Sequence, residues 1–180
     1  GAGGGPAIAN IRNNIEVSSG DAALVGSGNA TFDVAGGVII NADNVLDSVS
    51  GLSTLNNRGT INGAFQSGSG SVLIQNFLGG VMNLGDPAGS SFGGAGDRFV
   101  NEGVLTALGA TTLGGLEQFT NAATGTVDIS NGAGGDNLTI GGNMVNEAGS
   151  RILMDVDLSN PTSASQNDVI TVLGNLTSDG

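Results

Sequence analysis

Short apolar segments alternate with polar turns along most of the chain. Each segment has three to five residues, as in 30–34 (Ala-Thr-Phe-Asp-Val), and is bounded by Gly, Asn, Asp or Ser. This is the pattern of short β-strands separated by turns. Helical spacing occurs only weakly, over 44–55. We therefore expect almost no helix.

One turn motif recurs: an apolar residue, a variable residue, an Asn, and then a Gly that leads into a short apolar strand. The asparagines of this motif follow one another at intervals of 19, 25, 20 and 25 residues, and they are Asn57, Asn76, Asn101, Asn121 and Asn146. Repeats of this length are typical of stacked supersecondary units. The pattern predicts an all-β fold, a parallel β-helix (β-solenoid) of roughly seven to eight rungs of 19–25 residues.

In such a coil the recurring asparagines are expected to lie above one another, because parallel strands stack about 4.8 Å apart. We expect their amides to form a hydrogen-bonded ladder, and we also attribute the choice of Asn to its tolerance of left-handed backbone angles. The unequal rungs predict loops around 85–98 and 130–137, where solenoids usually carry specificity.

The domain prediction follows from the same pattern. We expect residues 1–14 to be a loose lead-in or a first partial rung. Residues 15–180 are predicted to form a single β-helix domain, as a fragment of a longer chain.

Composition refines this prediction. The 34 glycines lie between apolar runs and mark turns, and Phe, at six residues, is the only aromatic type. Val, Ile, Leu and Ala are therefore expected to fill the interior. The net charge of −12 disfavours nucleic acid and anionic membrane surfaces as partners. We interpret most of the acidic residues as a means of solubility.

The missing residue types exclude several chemistries. The chain has no His, Cys, Lys, Tyr or Trp, so the usual nucleophile–base pairs and the usual zinc ligands cannot be built. We therefore predict a protein that is not an enzyme and that has no cofactor. No run of 18 apolar residues occurs, so we expect no membrane-spanning helix.

One segment resembles a metal-binding motif. Residues 132–138 read Gly-x-Gly-x-Asp-x-Leu, like one calcium-binding nonapeptide. Such sites need consecutive nonapeptides, since each calcium is shared between neighbouring turns. Only 93–98 echoes the motif, with Arg98 in the acidic position. We interpret the segment as a Gly-rich turn and predict no metal site.

A second candidate is a group of carboxylates. Residues 152–158 alternate, which places Asp155 and Asp157 outward on one strand, about 7 Å apart, a separation that glycosidases use. Asp128 is expected on a neighbouring rung. The same alternation predicts that four apolar residues face inward, namely Ile152, Met154, Val156 and Leu158. We favour solvated strand charges, and a glycan-cleaving β-helix enzyme that uses these carboxylates is the alternative.

The last third of the chain resembles a known family. Residues 135–146 (Gly-Asp-Asn-Leu-Thr-Ile-Gly-Gly-Asn-Met-Val-Asn), 152–158 and 167–176 (Asn-Asp-Val-Ile-Thr-Val-Leu-Gly-Asn-Leu) are similar to the stem of bacterial autotransporter passenger domains. In that family an Asp-x-Leu-x-Ile/Val-x-Gly-Asn strand precedes an aliphatic strand with Asp, a polar loop and a second strand of the first kind. The resemblance implies a right-handed parallel β-helix exported through the outer membrane of a Gram-negative bacterium.

Together these observations predict the function by class. We expect an extracellular passenger segment that acts as a structural stalk or an adhesin surface, at the bacterial surface or secreted. Its expected partner is a protein or glycan on a host cell or neighbouring cell, or another copy of the chain. A self-assembling filament subunit is a further alternative, because uncapped solenoid ends expose strand edges that are ready to pair.

Overall fold

The computed structural model describes residues 7–17, 22–85, 89–159 and 166–179, and this part of the chain is all-β. None of the described residues is helical, and they contain no helix long and apolar enough to cross a membrane. Most of the weakly helical segment 44–55 lies in two strands, which end at Ser50 and begin at Leu52.

The strands are short, and most of them are bounded by glycine-containing turns. In chain order they are β1 (Ala7–Ile11), β2 (Ile15–Glu16), β3 (Ala22–Ser27), β4 (Ala30–Val34), β5 (Ile39–Ser50), β6 (Leu52–Asn57), β7 (Thr60–Ser67), β8 (Ser71–Asn76), β9 (Val81–Leu84), β10 (Ser90–Ser91), β11 (Arg98–Asn101), β12 (Val104–Ala107), β13 (Ala110–Gly114), β14 (Gln118–Asn121), β15 (Thr126–Asp128), β16 (Asn137–Ile140), β17 (Asn143–Asn146), β18 (Arg151–Leu153), β19 (Val169–Val172) and β20 (Leu176–Ser178).

These strands stack in parallel into two sheets. Sheet 1 has eight strands in the order β1-β4-β6-β8-β11-β14-β17-β20. Sheet 2 has twelve strands, and its two longest strands, β5 and β7, bend in the middle. The bend divides the sheet into two flat parts, which we call the first face and the second face of the coil. The first face holds β2, β9, β12, β15, β18 and the starts of β5 and β7; the second face holds the ends of β5 and β7 with β3, β10, β13, β16 and β19. The chain visits sheet 1, the first face and the second face in turn, so the predicted β-solenoid is confirmed.

The register along sheet 1 measures each winding. Paired residues on successive strands lie 23, 23, 19, 25, 20, 25 and 32 residues apart. Six windings therefore fall within the predicted 19–25 residues. The last winding is longer because it includes the excursion between β18 and β19, part of which lies outside the described residues.

Inward-facing residues form columns through the coil. On the first face the column runs Ile15, Ile40, Ile61, Met82, Leu105, Val127 and Ile152, one residue for each winding. From Ile40 to Val127 these side chains are fully buried. Each apolar residue thus contacts equivalents above and below it, so stability comes mainly from contacts between neighbouring windings.

Phenylalanine has a larger part in the core than the composition suggested. Five of the six Phe side chains are buried, and Phe65, Phe99 and Phe119 are fully so. Phe99 meets Phe119 edge to face with ring centroids 5.4 Å apart, and Phe65 at 6.2 Å. Val, Ile, Leu and Ala supply most of the buried residues, as expected, and Phe adds to them. Edge-to-face pairs stabilise such columns beyond the area they bury.

The alternation of 152–158 predicts four inward-facing residues, but none of the four is buried. Ile152 continues an inner column, but it and the other three, Met154, Val156 and Leu158, are all exposed. Strand β18 is the edge of its sheet, so no described winding covers Ile152 from the far side. Beyond Leu153 the segment is not a strand, so strand alternation does not hold there.

The predicted asparagine ladder is present at the turn that follows sheet 1. Nδ2 of each asparagine donates to Oδ1 of the next one along the coil, at 2.8, 2.9, 3.0 and 3.0 Å from Asn57 to Asn146. The second N–H of each donor binds a backbone carbonyl oxygen, for example that of Val104 for Asn76, at 3.0 Å. The ladder thus satisfies amides that are otherwise costly to bury.

The backbone reason given for these asparagines is wrong. Among the described residues only glycines have positive φ, so the ladder asparagines are not left-handed. They lie at strand ends, and the motif glycines have two causes: Gly79 and Gly149 have positive φ, whereas Gly103 and Gly125 are in close approach to other backbone or side-chain atoms. A Cβ at Gly103 would lie 2.3 Å from the Gly80 carbonyl oxygen, and one at Gly125 would lie 2.4 Å from Oδ1 of Asn121. At these two turns the Asn and the Gly of the motif therefore serve one packing arrangement.

Candidate functional site

The three predicted carboxylates do not form one cluster with a free approach. Asp128 Oδ1 accepts from the backbone N–H and the hydroxyl of Ser130, at 3.0 and 2.7 Å. Asp155 Oδ2 accepts from the backbone N–H groups of Asn131 and Gly132, at 2.8 and 2.7 Å. The structure therefore brings Asp128 and Asp155 to the same turn, where each accepts hydrogen bonds from backbone N–H groups.

Asp157 lies at a different turn. Its Oδ1 accepts from the backbone N–H and the hydroxyl of Ser159, at 2.8 and 2.6 Å. This is the local capping geometry that Asp commonly adopts in turns. The described contacts thus account for all three carboxylates as turn-forming groups.

The calcium-like segment is a turn that Asp136 ties to its surroundings. Asp136 is buried; Oδ1 accepts from the backbone N–H of Gly109, and Oδ2 accepts from Asn131 Nδ2 at 2.7 Å. Its own N–H donates to Asp168 Oδ1 at 3.1 Å. Within the described ranges, no three acidic side chains are placed to hold one metal ion.

Asp168 and Asp136 belong to a set that the sequence reasoning missed. In this set a carboxylate accepts a backbone N–H from the preceding winding. Asp168 Oδ1 and Glu117 Oε2 do so from Asp136 N at 3.1 Å and from Asp97 N at 2.7 Å, and Asp168 Oδ2 accepts in addition from Asp155 N of its own winding, at 2.6 Å. Asp97, Glu117, Asp136 and Asp168 each directly precede a strand. An acidic residue immediately before an apolar strand was the available signal.

Asp97 is the most enclosed member of this set. Its side chain is fully buried, and Oδ1 accepts from the Val72 N–H at 2.6 Å. Burial raises the pKa of Asp97 above its ordinary value, and the nearby Glu117 carboxylate raises it further. The hydrogen bond from Val72 opposes the shift.

A polar row runs along the outside of the first face. Its members pair in register from winding to winding, in the order Glu16, Asn41, Asn62, Asn83, Thr106 and Asp128. Asn83 Nδ2 donates to Asn62 Oδ1 at 2.6 Å, Asn62 Nδ2 to Asn41 Oδ1 at 2.5 Å, and Asn41 Nδ2 to Glu16 Oε2 at 2.7 Å. Sequence reasoning missed this row, apart from Asp128.

The first four members of the polar row line a surface groove of about 430 Å³. Glu16, Asn41, Asn62 and Asn83 line it together with Asp43. A smaller hollow of about 140 Å³ shares Asn83 and extends to Thr106. The three asparagines are half-buried and line the groove.

A second groove of about 410 Å³ lies at the turn after sheet 1. It is lined by two of the four arginines of the chain, Arg12 and Arg58, together with Asp33. The Arg58 guanidinium lies 4.1 Å from the centroid of the Phe77 ring. Asp33 Oδ1 accepts from Asn56 Nδ2 at 2.7 Å, so part of its charge already has a partner.

Comparison of the chain with protein-family models, with curated proteins and with solved structures gave no match.

Proposed function

We propose that this chain is an extracellular β-helical passenger segment that acts as a structural stalk or an adhesin surface. The observation that carries the proposal is the use of polar side chains to build the coil. The asparagine ladder and the carboxylates of Asp128, Asp136, Asp155 and Asp168 all bind other parts of the chain. A rigid repetitive surface is what this arrangement supports best.

The autotransporter assignment rests on the resemblance of residues 135–176. The structure agrees with its general form, since 137–140 and 169–172 are β16 and β19, which pair in register. An autotransporter passenger would be a right-handed coil that folds after export to the surface. The absence of cysteine suits such export.

The test is attachment. Fluorescent beads coated with the purified chain would be added to epithelial cells and to bacterial cells, with beads coated with an unrelated acidic protein as the control. Retention above the control supports an adhesin surface. Beads that no cell type retains contradict the adhesin part of the proposal.

The enzyme alternative is separated by a turnover assay on the same preparation. Release of reducing sugar from a polysaccharide, abolished in Asp155→Asn, would replace the present proposal with a glycan-cleaving enzyme. Since Asp155 Oδ2 holds the Asn131 and Gly132 N–H groups, the variant must first show wild-type unfolding.

Self-association is a second candidate function, and the apolar surface of the last described winding favours it. The last winding exposes Ile152, Leu173 and Leu176. Strands β18, β19 and β20 are also sheet edges, which are available for further pairing. Sedimentation that becomes faster with concentration, with rods that lengthen in electron micrographs, would support a filament subunit.

A further inference from the structure

We propose that the groove over the polar row binds a segment of an uncharged glycan, whose hydroxyl groups bond the side chains of Asn41, Asn62 and Asn83. The inference rests on the proposed adhesin surface and names its binding track and ligand class. The first argument is hydrogen-bonding capacity. A primary amide has two N–H donors and two acceptor lone pairs.

The two sets of asparagines differ in how much of that capacity they use. In the buried ladder, Asn76 donates one N–H to Asn101 and the other to the Val104 carbonyl oxygen. In the polar row, Asn62 donates once, to Asn41, and accepts once, from Asn83. Asn62 therefore keeps one N–H and one lone pair, at a half-buried position in the groove. A sugar hydroxyl, which both donates and accepts, matches this pair.

The second argument is spacing and preorganisation. Successive members of the row lie one winding apart, about 4.8 Å, which is comparable to the length of one sugar unit in an extended glycan. Hydrogen bonds from Asn83 through to Glu16 hold the amides in place before any ligand arrives. Fixed side chains reduce the entropy lost on binding.

The third argument is shape. Gly63 lines the groove, where any Cβ would lie 1.8 Å from the Ala42 carbonyl oxygen, so no side chain fills this position. Half-buried Val17 lies on the wall of the groove, and exposed Leu108 lies on that of the adjoining hollow. These apolar groups offer contacts for the C–H faces of sugar rings. The volume of about 430 Å³ is within the usual range for ligand sites.

The fourth argument is charge, which selects the class of glycan. Exposed Glu16 and Asp43 line the groove, and no arginine is among the described residues that do so. A uronic-acid or sialic-acid chain would be repelled. A neutral chain keeps the carboxylates as hydrogen-bond acceptors for its hydroxyls.

The experiment measures binding of cellohexaose, laminarihexaose, maltohexaose and mannohexaose to the purified 180-residue chain, with an oligogalacturonate as the anionic probe. We expect at least one neutral probe to bind, the anionic probe not to bind, and Asn62→Ala to lose binding at least tenfold. Gln75→Ala is the matched control, because Gln75 is a half-buried amide on sheet 1, away from the groove. Urea unfolding checks that both variants fold.

Three results would overturn the inference: no neutral probe bound at millimolar concentration, stronger binding of the anionic probe, or equal binding by folded Asn62→Ala. The bead assay separates this failure from that of the proposed function. Cells that retain the wild type and Asn62→Ala equally leave the adhesin proposal standing and place its surface elsewhere. Cells that retain neither, together with no glycan binding, overturn both.

Discussion

Two kinds of turn connect neighbouring windings by different hydrogen bonds. One kind follows the strands of sheet 1, and the other ends at Asp97, Asp136 or Asp168, directly before the next strand. The first kind, the asparagine corner, has two or four residues between strands from β4 to β18 and repeats one arrangement. The second kind, the carboxylate turns, varies in length, and single acidic side chains accept N–H groups from the preceding winding. A turn that repeats can be recognised in the sequence, whereas a turn held by one acidic residue cannot be distinguished from the other acidic residues of the chain.

The largest expected effect comes from interrupting the asparagine corner. Asn101→Leu leaves Asn76 Nδ2, Asn121 Oδ1 and the Thr126 carbonyl oxygen without their partner. Each stranded buried group costs about 1–3 kcal/mol, so we expect a loss of about 4 kcal/mol or more in the free energy of unfolding, measured in urea. Gln75→Leu, on the outside of sheet 1, is the control. A loss below about 1 kcal/mol for Asn101→Leu would contradict the ladder's importance.

The next effect separates close approach from backbone angle. Gly103→Ala places a Cβ 2.3 Å from the Gly80 carbonyl oxygen, although Gly103 has no positive φ. We expect a loss of about 2–3 kcal/mol, because the turn must move. Gly85→Ala is matched, since nothing lies within 4 Å of its Cβ position. Equal stability of the two variants in thermal unfolding would show that the corner tolerates a methyl group.

A carboxylate turn is expected to fail more locally. Asp168→Ala removes the acceptor for the backbone N–H groups of Asp136 and Asp155. We expect a loss of about 2 kcal/mol, with faster hydrogen exchange at those two amides. Asp43→Asn, which changes an exposed acid, serves as the control. If hydrogen exchange accelerates equally throughout the coil, Asp168 stabilises the whole coil and not this turn alone.

The smallest effect is a pH dependence at Asp97. Because the pKa of Asp97 is raised in the folded chain, protonation of this carboxyl group stabilises the folded state. The stabilisation is complete below the ordinary pKa of 3.8 and is lost as the pH rises through the raised pKa. Asp97→Asn, which stays neutral, should gain up to about 1 kcal/mol over the wild type at pH 7. The difference should shrink toward pH 4. A constant difference across this range would argue against the raised pKa.

The asparagine corner could be predicted because its residues recur. The recurrence predicts both the winding length and the ladder, and the structure confirms both, at Asn57, Asn76, Asn101, Asn121 and Asn146. The polar row of Asn41, Asn62 and Asn83 recurs too, at intervals of 21. It was missed because no glycine motif accompanies it.

The remaining features depend on position in the assembled coil. Asp97, Asp136 and Asp168 accept N–H groups that lie 25, 27 and 32 residues away, and no local pattern gives those partners. Exposure of Ile152 likewise follows from its place in the last described winding, since Val127, one winding earlier in the same column, is fully buried. The alternation of the sequence around Ile152 does not contain that information.

The asparagine ladder gives the coil a direction of growth. From Asn57 to Asn121 its amides donate toward the later windings, and at its beginning Asn57 Oδ1 accepts from the Gly59 backbone N–H, while the two earlier positions of the column are Val34 and Ile11. The ladder is therefore closed toward the amino terminus. Each of these four donors reaches the asparagine that is paired with it one winding later, and a shift of one residue would break the bond, so the ladder favours a single register between neighbouring windings.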